Sequence, residues 1–218
     1  MVDALAFRCT GCGNCCRNLR VAVTGLDVQR LAQATGKAAK ALVEWLDPDA
    51  VDMSGEPDGF VELSQGRRLM VLAQTSGACV LLAADDSCSA YAVRPRDCQA
   101  YPFAFDEPVE PSAKRHLALL PLDACEYAED GNSDPAALDA IDRARFEELS
   151  HYRAHVARWN RLAFHRRRLR QPIGRAEEFL RFVLAAEQPQ RSAASDTRQS
   201  DADSDAAAPS PALVKTDN

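Results

Sequence analysis

The stretch that decides how this chain is read is "FRCTGCGNCCRN", residues 7–18, which sets Cys9, Cys12, Cys15 and Cys16 within eight consecutive positions. A Cys-x-x-Cys step holds two thiolates on one tight turn, close enough to serve one metal centre, while the intervening amides can point at the sulfurs. Cys9-Thr10-Gly11-Cys12 is one such step. Cys12-Gly13-Asn14-Cys15 repeats it, with glycines that permit the positive φ values these turns need. Cys16 directly follows Cys15, and adjacent side chains diverge in most backbone conformations. The two thiols are therefore expected to serve two functions or two sites.

Working outward, four more cysteines follow, Cys79, Cys88, Cys98 and Cys125, so all of the thiol chemistry lies between residues 9 and 125. The opening "MVDALAFRCTGCG" lacks the basic start and apolar run of a secretory signal, and the mature chain is expected to begin at Met1 or Val2. Apolar pieces such as "CVLLAA" fall far short of the ~18 residues needed to cross a bilayer. These features predict a cytoplasmic protein with no membrane association. In a reducing compartment an even cysteine count points to metal ligation or redox chemistry rather than to disulfides. With 218 residues and 46 % hydrophobic content the chain can build one core of ordinary size with something appended. The net charge of −6 averages over unlike segments and selects no partner.

Around the cluster the chain reads as short elements. "LRVAVT" alternates like a strand; Thr24 with Asp27 forms an N-cap signature, and the helix "GLDVQRLAQAT" should stop at Gly36. "KAAKALVEWL" has helical spacing of Leu42, Trp45 and Leu46 and ends before Pro48. "DGFVEL" and "RLMVLA" read as two strands joined by a turn containing Gly66. "CVLLA", the turn "ADDS" and "CSAYAV" form a hairpin-like unit with Cys79 and Cys88 near its strand ends. In "RPRDCQAYPF", Pro95 and Pro102 bracket Cys98, leaving room for a shaped loop or a single turn. "RHLALLPL" reads as a strand that delivers the chain to Cys125. From Pro135 to about Arg170 the pattern is one long helix, with Leu149, Tyr152, Val156, Trp159 and Ala163 on one stripe, expected to dock onto the cysteine domain or a partner. "GRAEEFLRFVLAAEQ" follows as a second amphipathic helix. Beyond it the Ala, Ser and Asp-rich "PQRSAASDTRQSDADSDAAAPSPALVKTDN" has almost nothing to bury and reads as a disordered tail. The predicted class is α+β: a small cysteine-rich metal-binding domain with short strands over 1–130, a helical extension over 135–187 and a tail over 188–218.

The triple step resembles the Cys-x2-Cys-x2-Cys run of bacterial ferredoxins, departing from it at Cys16. Taken with "VTGLDVQRLAQATG" and "CVLLAADDSCSAYAVRPRDCQAYPF", the pattern resembles the YkgJ-type CxxCxxCC cysteine-cluster family over roughly residues 7–125. That family is described as zinc- or iron-chelating and often labelled Fe–S. The resemblance implies a metal-binding domain whose ligands come from Cys9, Cys12, Cys15, Cys16, Cys79, Cys88, Cys98 and Cys125; it implies no substrate. The related flagellin lysine methylases carry a similar cluster, but this chain has no room for their second catalytic domain. An iron–sulfur cluster, 4Fe–4S in type, is favoured by the ferredoxin-like triple and by Arg8, Arg17, Arg94 and Arg96 around an anionic centre. Zinc is the alternative, since eight thiols divide into two four-cysteine sites. Cys125, farthest from the motif, is the first candidate for a bystander.

The remaining candidates carry less. Arg94 is read equally as an anion partner or as a donor to loop carbonyls, and Tyr91, Tyr101 and Phe103 as core more than as a shield. His116, His151, His155 and His165 are set aside as ligands, because His151 and His155 at i, i+4 lack the glutamate of a metalloprotease helix. Residues 143–181 hold eleven arginines against four glutamates. Such a helix is foremost a solvated face and otherwise a surface for a redox or protein partner; no base-reading motif accompanies it, so nucleic acid is not expected. No nucleophile elbow or phosphate loop is present, and no catalytic residue or substrate is assigned. The expected role is electron transfer or redox sensing at an iron–sulfur cluster, with a zinc-stabilised, non-catalytic interaction module as the alternative.

Overall fold

The computed structural model describes residues 6–50, 57–106, 116–120, 126–131 and 133–187. Cys125 and the tail from residue 188 lie outside them. The frame that carries the site is a three-stranded antiparallel sheet covered by helices. Its strands, β2 (Val43–Leu46), β3 (Val61–Leu63) and β4 (Gly66–Leu72), are ordered β2-β4-β3, with Val43 opposite Leu72, Leu46 opposite Leu69 and Val61 opposite Arg68. Successive strand residues point to opposite faces, yet Leu69, Met70, Val71 and Leu72 are all buried. Both faces are therefore covered: Met70 and Leu72 enter the main core, while Leu69 and Val71 meet Phe60 and Leu46 in a small second cluster.

Helix α2 (Gly25–Thr35) starts as its sequence dictates. Thr24 Oγ1 accepts from Asp27 N, the Asp27 carboxylate accepts from Thr24 N at 2.9 Å, and Gly36 closes the helix at φ 68°. Val28 and Leu31 of this helix are fully buried. The segment before it, read as a strand, joins the sheet through a bridge from Ala22 to Val71 flanked by bonds from Val23 N to Met70 O and from Leu72 N to Val21 O.

The helix expected over "KAAKALVEWL" is the main correction. Only Ala39–Leu42 is helical (α3), and the chain then extends as β2. The spacing of Leu42, Trp45 and Leu46 suits a helix or a buried strand. Partner availability decides: four β2 residues find four partners on β4, and β-branched Val43 and aromatic Trp45 suit a pleated surface.

The long helix α5 (Pro135–Arg168) begins at Asp134, whose carboxylate accepts from Ala136 N at 2.9 Å, with Pro135 in the first turn. Its last turn carries His165, Arg166, Arg167 and Arg168, cations that suit the negative end of the helix dipole. The final helix α6 (Ala176–Ala186) is capped by Glu178, which accepts from Arg175 N at 2.8 Å. Tyr152, Val156 and Trp159 of α5 and Phe179, Leu180 and Val183 of α6 share one hydrophobic core with Val28, Leu31, Leu42, Met70, Leu72 and Leu81. The helical extension thus docks onto the cysteine part. Trp159 Nε1 donates to Glu62 O at 2.8 Å, while Asn160 accepts from Glu62 N at 2.8 Å and donates to Phe60 O at 2.9 Å. These bonds satisfy backbone groups that the edge strand β3 would otherwise leave open.

Several α5 arginines serve the fold: Arg143 pairs with Asp139, Arg145 with Asp142 and Asp97, and Arg167 with Glu62. The remaining described elements are the short helices α1 (Asn14–Asn18) and α4 (Arg96–Ala100) and three two-stranded ribbons. The ribbons pair β1 (Arg8–Cys9) with β9 (Tyr127–Ala128), β5 (Gln74–Thr75) with β6 (Ala78–Cys79), and β7 (Phe103–Asp106) with β8 (His116–Leu119). Among the described residues no helix is long and apolar enough to cross a membrane.

Candidate metal centre

Phe7 anchors the first Cys-x-x-Cys step. Buried, it packs edge-on to Phe103 at 5.1 Å and stacks on Tyr127 at 5.3 Å, while β1 pairs Cys9 with Tyr127. Cys9 itself is exposed and Cys12 half-buried. The second step turns at Gly13, whose φ of 69° lies in the left-handed region that glycine alone enters freely. That turn starts α1, where Cys16 N donates to Gly13 O and Leu19 N to Cys15 O, both at 3.1 Å. Arg17 ties α1 to the loop 83–87 through Asp86, and its guanidinium reaches Cys12 O at 3.4 Å.

The second group of thiols arrives on either side of that loop and on α4. Cys79 ends β6, and its Sγ accepts from Leu81 N at 3.4 Å. The hairpin expected from Cys79 to Cys88 is reduced to one bridge, Leu82 to Cys88, with the exposed Asp85 carboxylate shaping the turn by accepting from Ser87 N at 3.1 Å and Ser87 Oγ at 2.6 Å; a 3-10 turn over Tyr91–Val93 follows. Cys98 sits on α4, the single turn expected between the two prolines. Pro95 is fully buried, and Arg96 N donates to the buried Asp27 carboxylate of α2 at 3.2 Å. Arg96 Nε and Arg30 Nη1 both donate to Glu148 of α5 at 2.8 Å. Arg145, also of α5, reaches Asp97 at 3.3 Å. The turn bearing Cys98 is thus held by charged side chains from two other helices.

Five of the expected ligands come together. Cys15 lies beside Cys16 and Cys16 beside Cys79, near enough for thiol-to-thiol interaction, with Cys88 and Cys98 within electrostatic range. Expected to diverge, Cys15 and Cys16 nevertheless lie close enough for their thiols to interact. Donation to Cys16, then burial, pushes the Cys15 thiol well above the ordinary cysteine range. Cys16 is pulled down by its bond with Cys15, but donation to Cys79, burial and the neighbouring thiolates outweigh that and raise it to about 11. Cys79, the acceptor of that bond, is lowered. Cys98 is pushed up by burial first, then by Asp97, Cys15, Cys16 and Asp27. Among the described residues no three of these sulfurs lie within 4.8 Å of one another.

The flanking candidates resolve simply. Arg94 lies over the Tyr91 ring at 3.9 Å and donates to the Tyr91 carbonyl at 2.9 Å and the Cys98 carbonyl at 3.4 Å, so it is the donor to loop carbonyls. Tyr91, read as core, is 57 % exposed beneath that guanidinium. Arg8 is paired with Asp130. Sequence reasoning passed over Asp27 as a site residue; its signal was the capping box, which gave no hint that the same carboxylate would hold the Cys98 turn.

A thiol-lined centre built from one N-terminal turn, one hairpin end and one short helix defines a class, the cysteine-cluster metal chelators. The sequence model of the CxxCxxCC family, described as "Putative zinc- or iron-chelating domain", matches residues 8–125, and the chain belongs to that family. No curated protein and no solved structure matches it.

Proposed function

We propose that the cysteine centre holds an iron–sulfur cluster, 4Fe–4S in type, and that the protein transfers or senses electrons through it. The observation that supports this reading is the gathering of Cys15, Cys16, Cys79, Cys88 and Cys98, one thiol more than a single tetrahedral zinc takes, next to a ferredoxin-like Cys-x2-Cys-x2-Cys run. Cys15, Cys16, Cys79, Cys88 and Cys98 are the proposed pool, with Cys9 and Cys12 on the adjoining turns completing it.

A bound cluster supplies one-electron chemistry. The chain's own residues would set its potential through burial, the Leu81 amide aimed at Cys79, and the field of nearby charges. A redox partner is proposed to meet the basic end of α5, where Arg166 and Arg168 are exposed. The test is substitution with a visible spectrum as readout. Cys79→Ser and Cys98→Ala, in protein purified without air, should each lose the brown thiolate-to-iron absorption and most of the iron. Retention of both colour and iron in either variant removes that residue from the pool, and a colourless, zinc-loaded parent protein overturns the reading.

A further inference from the structure

We infer that His151, His155 and Glu187 form a second metal site, one that takes a zinc ion and contains no cysteine. His151 and His155 stand one turn apart on α5, so their imidazoles share a face, with ring centroids 4.6 Å apart. Glu187 follows the last residue of α6, and its side chain is only 2 % exposed. His151 Nδ1 lies 3.4 Å from Glu187 Oε2 and His155 Nε2 lies 4.0 Å from Glu187 Oε1. The three donor atoms all fall within 4.8 Å of one another.

An ordinary ion pair accounts for half of this at most. His155 Nε2 and Glu187 Oε1 are both buried and neither has a hydrogen-bond partner. Two buried orphan atoms that face each other beyond hydrogen-bond distance call for something between them. A carboxylate taken out of water is costly unless a cation or donors compensate it. Zinc bonds to imidazole and carboxylate of about 2.0–2.2 Å give tetrahedral ligand edges of about 3.3–3.6 Å, so the His151–Glu187 edge already fits and the other two, within 4.8 Å, would close around the ion. Two imidazoles and one glutamate are the donor set of a three-ligand zinc site whose fourth position is open, and half-exposed His151 leaves that position to water. Calcium and magnesium prefer all-oxygen cages, which this is not.

The surroundings hold the carboxylate in place. Gly25, first residue of α2, comes so close that a Cβ there would stand 3.1 Å from Glu187 Cγ and 3.2 Å from Oε1. The Phe182 ring packs edge-on to His155 at 6.3 Å. A bound ion would therefore clamp the end of α6 onto α5 beside the start of α2. The sequence hid this site because its glutamate comes from the following helix rather than from the histidine helix.

The test uses the full chain with its cysteine centre loaded, titrated with zinc and, as a spectroscopic probe, with cobalt(II). One further equivalent should bind, and cobalt should give d–d bands without a new thiolate charge-transfer band. Glu187→Gln and His155→Ala should each lose that equivalent, with affinity weakened more than the 10–100-fold that outer-shell changes typically produce, while metal on the cysteines is unchanged. His151→Ala, at a half-exposed position that the fold can spare, should also lose it and should abolish the rise in melting temperature that zinc gives the parent. Equal zinc binding by parent and His151→Ala, or cobalt spectra showing only thiolate ligation, overturns the inference.

Discussion

Removing the Asp27 carboxylate should loosen the fold and the metal centre together. The group is almost fully buried, and its oxygens accept from Thr24 N and Thr24 Oγ1, both at 2.9 Å, from Arg96 N at 3.2 Å and from Arg30. In Asp27→Ala the backbone N–H groups of Thr24 and Arg96 lose their acceptor, at about 1–3 kcal/mol for each buried donor left unsatisfied. Arg30 keeps Glu148 at 2.8 Å, so its charge is not stranded and the larger penalty of a broken buried pair is avoided. The expected loss is about 2–6 kcal/mol, or a melting point lowered by about 4–24 °C for a chain of this size. Asp27→Asn keeps the shape but turns an NH₂ group toward one of the two donor pairs, so about half of the cost should remain. Urea unfolding followed by circular dichroism, with bound metal counted on the same samples, measures both effects. The Ala variant should also lose metal, because Arg96 N leads directly into the turn that carries Cys98. A loss below about 1 kcal/mol with undiminished metal would refute the claim that this carboxylate couples α2 to the centre.

Further outcomes follow from particular contacts. Gly174→Ala should cost about 1–3 kcal/mol, because a Cβ there would stand 2.6 Å from two atoms of the Trp159 ring; thermal melts should show the loss with cysteine-bound metal unchanged. In metal-free protein near pH 8, iodoacetamide should modify Cys79 before Cys16, since a lowered pKa means more thiolate at that pH, whereas Cys16, raised to about 11, stays protonated. Cys16→Ala removes the donor that stabilises the Cys79 thiolate and should slow Cys79 labelling; faster labelling would reverse the assigned direction of that hydrogen bond.

What could be read in advance follows from the range of the interactions. Thr24, Asp27 and Gly36 bound α2 because a capping box and a left-handed glycine act within one helical turn. The α5 stripe was legible for the same reason, since its period is local and long. Val43–Leu46 was misread because Leu42, Trp45 and Leu46 suit a helix as well as a strand buried on both faces, and the deciding partner, Leu69–Leu72, lies more than twenty residues on. Spacing was enough to single out the cysteines as candidate ligands. The thiol-to-thiol order Cys15, Cys16, Cys79 was not legible, because it depends on how a hairpin end packs beside α1. Asp27 and Glu187 were invisible as site residues for that same reason: each acts on a group brought to it only by the fold.

The most direct test of the central claim is to measure iron, zinc and acid-labile sulfide per chain in untagged protein purified without air. The account predicts iron and sulfide in nearly equal amounts, about four of each for one cubane cluster, with any zinc confined to the histidine site and lost in His151→Ala. Zinc held by the cysteines, with neither iron nor sulfide, would contradict it.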